Sequence, residues 1–205
     1  MKKTVSLSLV VLMLLCVFTG CAQKMETVEW ETAVDERIVE TIGGPRADAV
    51  KALGLTDEDL VDGQSSFYSA ELTWCGMPME TEIGFWEDVF NAAIGKATFT
   101  YDESISELIP RCLAMLEEQF NAPYKYMTID GNSAMGTDVI PDPDEALTAL
   151  EETDDGGIGY RYSVSGENGG TGDEGPYVDV MFMRYKEEPG MIRITFSVNN
   201  LERTQ

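Results

Sequence analysis

Of the 205 residues, 37 are aspartate or glutamate and none is histidine. That balance bounds the chemistry open to the chain. Two carboxylates ~5–9 Å apart are enough for glycoside hydrolysis. Glu80 and Glu82 would share one strand face, although solvated strand residues give the same pattern. Without histidine there is no Ser-His or Cys-His nucleophile pair, and the commonest metal ligand and neutral-pH base is missing. No Ser-x-x-Lys, G-x-S-x-G or P-loop occurs. Oxygen ligands that could suit calcium lie at Asp130-Gly131-Asn132, Asp138, Asp142, Asp144 and Asp154-Asp155. None has the twelve-residue EF-hand spacing. The Gly-rich stretch 166–175 places acids where a phosphate would need amides free of negative neighbours, and it reads as a hairpin loop. No cofactor or metal is expected.

Four cysteines occur, at 16, 21, 75 and 112. Cys75 and Cys112 lie in apolar stretches and outside any CxxC spacing, which excludes a structural zinc site. They are either buried free thiols or a disulfide, which could contribute ~3–4 kcal/mol by closing the loop between them. Trp74, Phe85, Trp86 and Phe90 cluster around one hairpin. Core packing is the default for such residues. A binding surface of Trp86, Trp74 and Phe90 is the alternative, with Trp86 expected exposed because it falls on the Glu80–Glu82 face.

The elements that must position these residues follow from periodicity. Trp30, Val34, Ile38 and Ile42 recur every four residues, which would suit a short helix, although Val28 and Trp30 fit a strand as well. Gly43-Gly44-Pro45 marks a break. A short helix is expected over Arg46–Leu53, with Ala47, Val50 and Leu53 on its apolar face and Gly54 ending it. Three strands alternate over 68–74, 79–85 and 93–101, with turns at Gly76-Met77-Pro78 and over 87–92. Ile105, Leu108, Ile109, Cys112, Leu113, Leu116 and Phe120 define the strongest helix. Ser104 and Glu107 resemble a capping box, and Pro110 suggests that the regular helix begins there. A short strand over 124–129 precedes a largely irregular stretch, 130–157, holding a helix over 144–152. Strands follow over 158–164, 177–185 and 191–198, the second covered on both faces.

The leader gives the clearest signal. Lys2 and Lys3 precede an apolar run from Val5 to Phe18, too short for a spanning helix at ~20 residues. The junction Phe18-Thr19-Gly20-Cys21 resembles the lipobox of bacterial lipoproteins, with Phe18 where leucine is usual. The resemblance covers about a tenth of the chain. It implies cleavage before Cys21, diacylglycerol on its sulfur and an acyl chain such as palmitate on the new amine, together a stable anchor. Cleavage at the same small residues by ordinary signal peptidase would instead release a soluble protein. The element order, with Arg46–Gly54 opening a unit, is similar to tandem helix-and-sheet modules of beta-lactamase-inhibitor-like and outer-membrane-assembly lipoproteins. That likeness carries no functional residue.

The expected organisation is a signal peptide over 1–20, a lipidated tether over 21–45 and an α+β domain over 46–205, as one unit or as sub-units 46–101 and 102–205. In the α+β arrangement, α-β-β-β would be followed by α-β-β-β, with helices on one face of antiparallel sheet. The net charge is −23, and the leader's two lysines make it −25 beyond residue 20. Such a surface disfavours nucleic acid and anionic lipid headgroups and suits a cation or basic partner. The expected function is non-catalytic: a binding or interaction module held by Cys21 to the outer face of the cell membrane, or to an envelope membrane facing the periplasm. Its partner would be an envelope protein or peptide. A structural or accessory lipoprotein and, last, a carboxylate-dependent glycosidase are the alternatives. The oligomeric state stays open.

Overall fold

The computed structural model describes residues 32–61, 64–130, 133–165 and 175–200. The lipobox, Trp30, Gly131, Asn132 and most of the Gly-rich stretch lie outside them. In chain order the elements are α1 (Glu36–Thr41), α2 (Arg46–Leu53), a 3-10 turn (Asp57–Asp59), β1 (Phe67–Trp74), β2 (Met77–Trp86), β3 (Val89–Thr100), α3 (Glu103–Phe120), β4 (Lys125–Asp130), β5 (Ser133–Thr137), α4 (Pro143–Glu152), β6 (Gly156–Ser163), β7 (Pro176–Arg184) and β8 (Met191–Asn200). Among the described residues the strands form one antiparallel sheet in the order β1-β2-β3-β8-β7-β6-β4-β5.

Period-two alternation decides which face each strand buries. Tyr68, Leu72 and Trp74 of β1, Met79, Thr81, Ile83 and Phe85 of β2, and Ile192, Ile194, Phe196 and Val198 of β8 are all buried. They join one core with Ile38, Ala49, Leu53, Ala146, Leu150 and the apolar stripe of α3 from Ile105 to Phe120. The helices therefore pack on one face, and the structure is α+β as expected. β3 pairs with β8 from Ala92↔Asn199 to Thr100↔Met191. The sheet thus runs unbroken across the expected boundary at 101/102. The second half does not repeat α-β-β-β, because β5 and α4 intervene between β4 and β6. β7 is buried on both faces, as its pattern implied.

Several expectations are corrected. The tether does not extend to residue 45 as a free segment. Ala33, Val34 and Ile38 are buried, Val34 bridges to Trp74, and the Gln119 side chain accepts from the Val34 N–H and donates to its carbonyl at 2.9 and 3.0 Å. The four-residue recurrence of Val34, Ile38 and Ile42 does mark buried positions, and Ala33 is buried beside them. α2 buries Ala49 and Leu53 while Ala47 is exposed. α3 begins at Glu103 and holds Pro110 in its interior. Asp102 starts it, its carboxylate and carbonyl both accepting from the Ile105 N–H, which is the N-cap role expected of Ser104. The lost bond at Pro110 is offset by the long apolar stripe. β5 was expected to be irregular. All its residues are exposed, so it shows no alternation.

The hairpin turns are shorter than expected. Cys75 (φ 45°) and Gly76 (φ 74°) close β1–β2, and β2 starts at Met77. Pro78 is tolerated because β2 pairs with β3 only from Thr81 onward. Glu87 and Asp88 close β2–β3.

Two outcomes follow. At Gly95 a Cβ would lie 2.3 Å from the Trp74 indole nitrogen. Gly95→Ala is therefore expected to destabilise the fold by ~3 kcal/mol in urea unfolding. Asp35 caps α1 by accepting from Arg37 N–H, and its hydrogen bond with the Arg37 side chain, opposed by burial, holds its carboxyl below the usual range. The native pKa is lowered, so this stabilisation is fully present above about pH 4 and is lost as pH falls through the lowered native value. Asp35→Ala should cost ~1 kcal/mol at pH 7. The cost should shrink as unfolding is repeated at progressively lower pH.

Candidate functional site

The aromatic cluster divides. Trp74 and Phe90 are fully buried and belong to the core, so they form no binding surface. Trp86 is 70% exposed and Phe67 43%. Phe67 and Gly84 are register partners, and Trp86 lies two residues further along β2 on the same outer face. The absence of a Cβ at Gly84 lets the Phe67 ring lie directly over it, with an added Cβ only 3.3 Å from the ring. Diagonal neighbours on a sheet face stand within reach of aromatic side chains. The exposed feature is therefore Trp86 beside Phe67. Alternation alone starts the strand at Tyr68 and so leaves Phe67 out. One residue earlier, its parity opposite to Tyr68, Leu72 and Trp74 would have placed it on the outer face.

Trp86 is held by a costly turn. Glu87 (φ 50°) and Asp88 (φ 59°) both take left-handed backbone, which costs ~1–2 kcal/mol for an ordinary side chain such as Glu87 and less for aspartate. The Gly43-Gly44-Pro45-Arg46 segment clamps that turn. Arg46 N–H donates to the Asp88 carbonyl at 2.7 Å, Gly43 N–H to Phe90 at 2.8 Å, and Phe90 N–H to Gly44 at 2.9 Å. Asn91 is the extra residue of a bulge, since Gly84 opposes Ala92 while Phe85 opposes Phe90. Its side chain accepts from the Trp86 N–H at 2.7 Å. Arg46 donates to the Ser65 carbonyl at 2.8 Å and the Tyr68 hydroxyl at 2.9 Å. Its guanidinium lies 5.3 and 5.2 Å from the Tyr68 and Phe85 ring centres, a cation–π arrangement. A groove of about 410 Å³ runs between Arg46, Val50, Tyr68 and Asp88.

The rim is acidic. Glu80, Glu82, Glu87 and Asp88 are exposed. Glu80, roughly 20 Å from Trp86 along the strand, accepts from Ser69 at 3.0 Å, Glu82 lies 3.7 Å from the Lys96 ammonium, and Asp88 lies 3.9 Å from the Arg46 guanidinium. Glu80 and Glu82 stand on an open strand face and do not make the enclosed carboxylate pair that glycoside cleavage uses. The arrangement can bind an apolar, cationic surface.

Other candidates resolve as follows. Asp142 caps α4 by accepting from Asp144 N–H at 3.0 Å. Among the described residues no three Asp, Glu, His or Cys side chains converge to hold a metal ion, and no helix is long and apolar enough to cross a membrane. Cys75 and Cys112 are buried and unbonded. On the sheet face opposite the helices, Arg161 makes a bidentate bond to Asp179 at 2.7 and 2.9 Å and lies 3.9 Å from the Tyr177 ring centre. Burial raises the Asp179 carboxyl, and Arg161 opposes that shift. The Tyr160 and Tyr162 hydroxyls are buried without a partner among the described residues, and burial pushes both phenols up. No protein-family model, curated protein or solved structure matches this chain.

The division of aromatics is measurable. Trp86→Ala should change stability by less than ~0.5 kcal/mol, whereas Phe90→Ala should cost ~3–5 kcal/mol. Urea unfolding of both variants checks the contrast.

Proposed function

We propose that this protein is an exported lipoprotein, anchored through Cys21, that binds an envelope protein or peptide with the Trp86–Phe67 face. The observation that carries the proposal is an indole left 70% exposed on a turn whose backbone is strained and fully clamped. Strain that the surroundings over-determine is a feature of functional sites, and exposed aromatics are the residues that dominate binding energy. The acidic rim and the net charge of −23 select a partner with basic residues around an apolar contact.

The location agrees with an anchored module. Ala33, at the start of the described chain, accepts from Cys75 N–H at 2.6 Å. Cys75 is at one end of the β1–β2 hairpin and Trp86 is at the other. Nine residue steps along β2 separate Met77 from Trp86, roughly 30 Å. The described chain therefore starts, at Thr32 and Ala33, beside the end of the hairpin remote from Trp86.

Cross-linking in cells followed by pull-down tests this reading. The intact protein should capture a stoichiometric partner. Trp86→Ala should reduce capture about tenfold, as loss of a central aromatic does, and Cys21→Ala should reduce it by removing the protein from the membrane. Equal capture by Trp86→Ala would refute the assigned face. No partner above background would favour an accessory lipoprotein without a ligand.

A further inference from the structure

The two buried cysteines come from distant parts of the chain and meet in the core. Cys75 is the first residue of the β1–β2 turn, and Cys112 lies on the inward stripe of α3. Neither has any exposed surface. The Cys75 Sγ is 3.8 Å from the Cys112 carbonyl oxygen. Cys75 also has φ 45°. The first position of a two-residue turn of this kind favours Asn, Asp or Gly. Cysteine is a poor choice for that backbone, so its presence calls for a reason in the side chain.

We propose that Cys75 and Cys112 form an intramolecular disulfide in the exported protein, fastening the β1–β2 turn to the middle of α3. The bond rests on the export reading, since disulfides persist in oxidising compartments. Each thiol gives up one proton and one electron, and one S–S bond forms. The two electrons and two protons pass to a protein thiol–disulfide oxidant, whose own disulfide becomes a dithiol through a mixed-disulfide intermediate. The Cys112 thiol and burial together push the Cys75 thiol up, so little thiolate forms in the folded chain and exchange slows. Oxidation therefore belongs to the stage before α3 docks on the sheet.

The full-length chain, expressed with its leader, is extracted from the membrane. Its free thiols are alkylated in denaturant without reductant, and its peptides are mapped by mass. The expected result is one linked peptide joining Cys75 to Cys112. A reductant should then lower the Tm by about 10 °C, and it should not shift the Tm of the Cys75→Ala/Cys112→Ala double variant. Alkylation of both cysteines in the processed protein would overturn the proposal, whether or not the double variant folds. The same digest reports leader cleavage and lipid on Cys21, so failure of export is seen separately. In that case the chain is refolded in a glutathione redox buffer. The linked peptide must still form there, and persistent free thiols or glutathione adducts would overturn the proposal.

Discussion

The packing of one side chain, Trp74, joins the parts of this fold that are furthest apart in sequence. From the last residue of edge strand β1, the indole reaches across β2 to β3 and β8. It stacks on Phe196 with ring centres 5.7 Å apart and occupies the space that Gly95 leaves open. A buried indole N–H needs an acceptor, which Thr81 supplies at 2.9 Å. Thr81 is the alternation's one polar exception on the buried face of β2, and this bond explains it. Val34 bridges to Trp74, so the N-terminal segment closes over the same residue.

The edges of the sheet are handled differently. Edge strand β1 is capped at its two ends by the Val34↔Trp74 and Leu60↔Tyr68 bridges. Edge strand β5 is only five residues long, and shortness is a recognised protection against edge-to-edge pairing. A net charge of −23 adds repulsion between copies. Against that background an exposed tryptophan backed by a bulge, a strained turn and a glycine under its neighbouring phenylalanine reads as a built feature.

Much of the fold was legible because the strands alternate cleanly. The pattern Met79, Thr81, Ile83, Phe85 assigned the inner face of β2, and the same parity placed Trp86 outside. The helical stripe from Ile105 to Phe120 was equally plain. Failures arose where local rules were outweighed. Pro110 argued for a later helix start, yet burial of a stripe on both sides of it carried the helix back to Glu103. β5 has no buried face and hence no pattern. Phe90 could not be told from a surface aromatic by type, because the Asn91 bulge changes which residues face inward near the β2–β3 turn, whereas the parity Trp74 shares with Tyr68 and Leu72 already pointed it inward. The pairing of Phe67 with Gly84 is a register fact that needs the sheet to be seen.

The Trp86–Phe67 face is proposed to meet a partner. The most direct measurement is photo-cross-linking in living cells from a photoreactive residue placed at position 86, with the same residue at exposed Glu118 on the outside of α3 as control. A single adduct of defined mass from position 86 and none from position 118 is the predicted result. Adducts that are absent from position 86, or identical from both positions, would contradict the account.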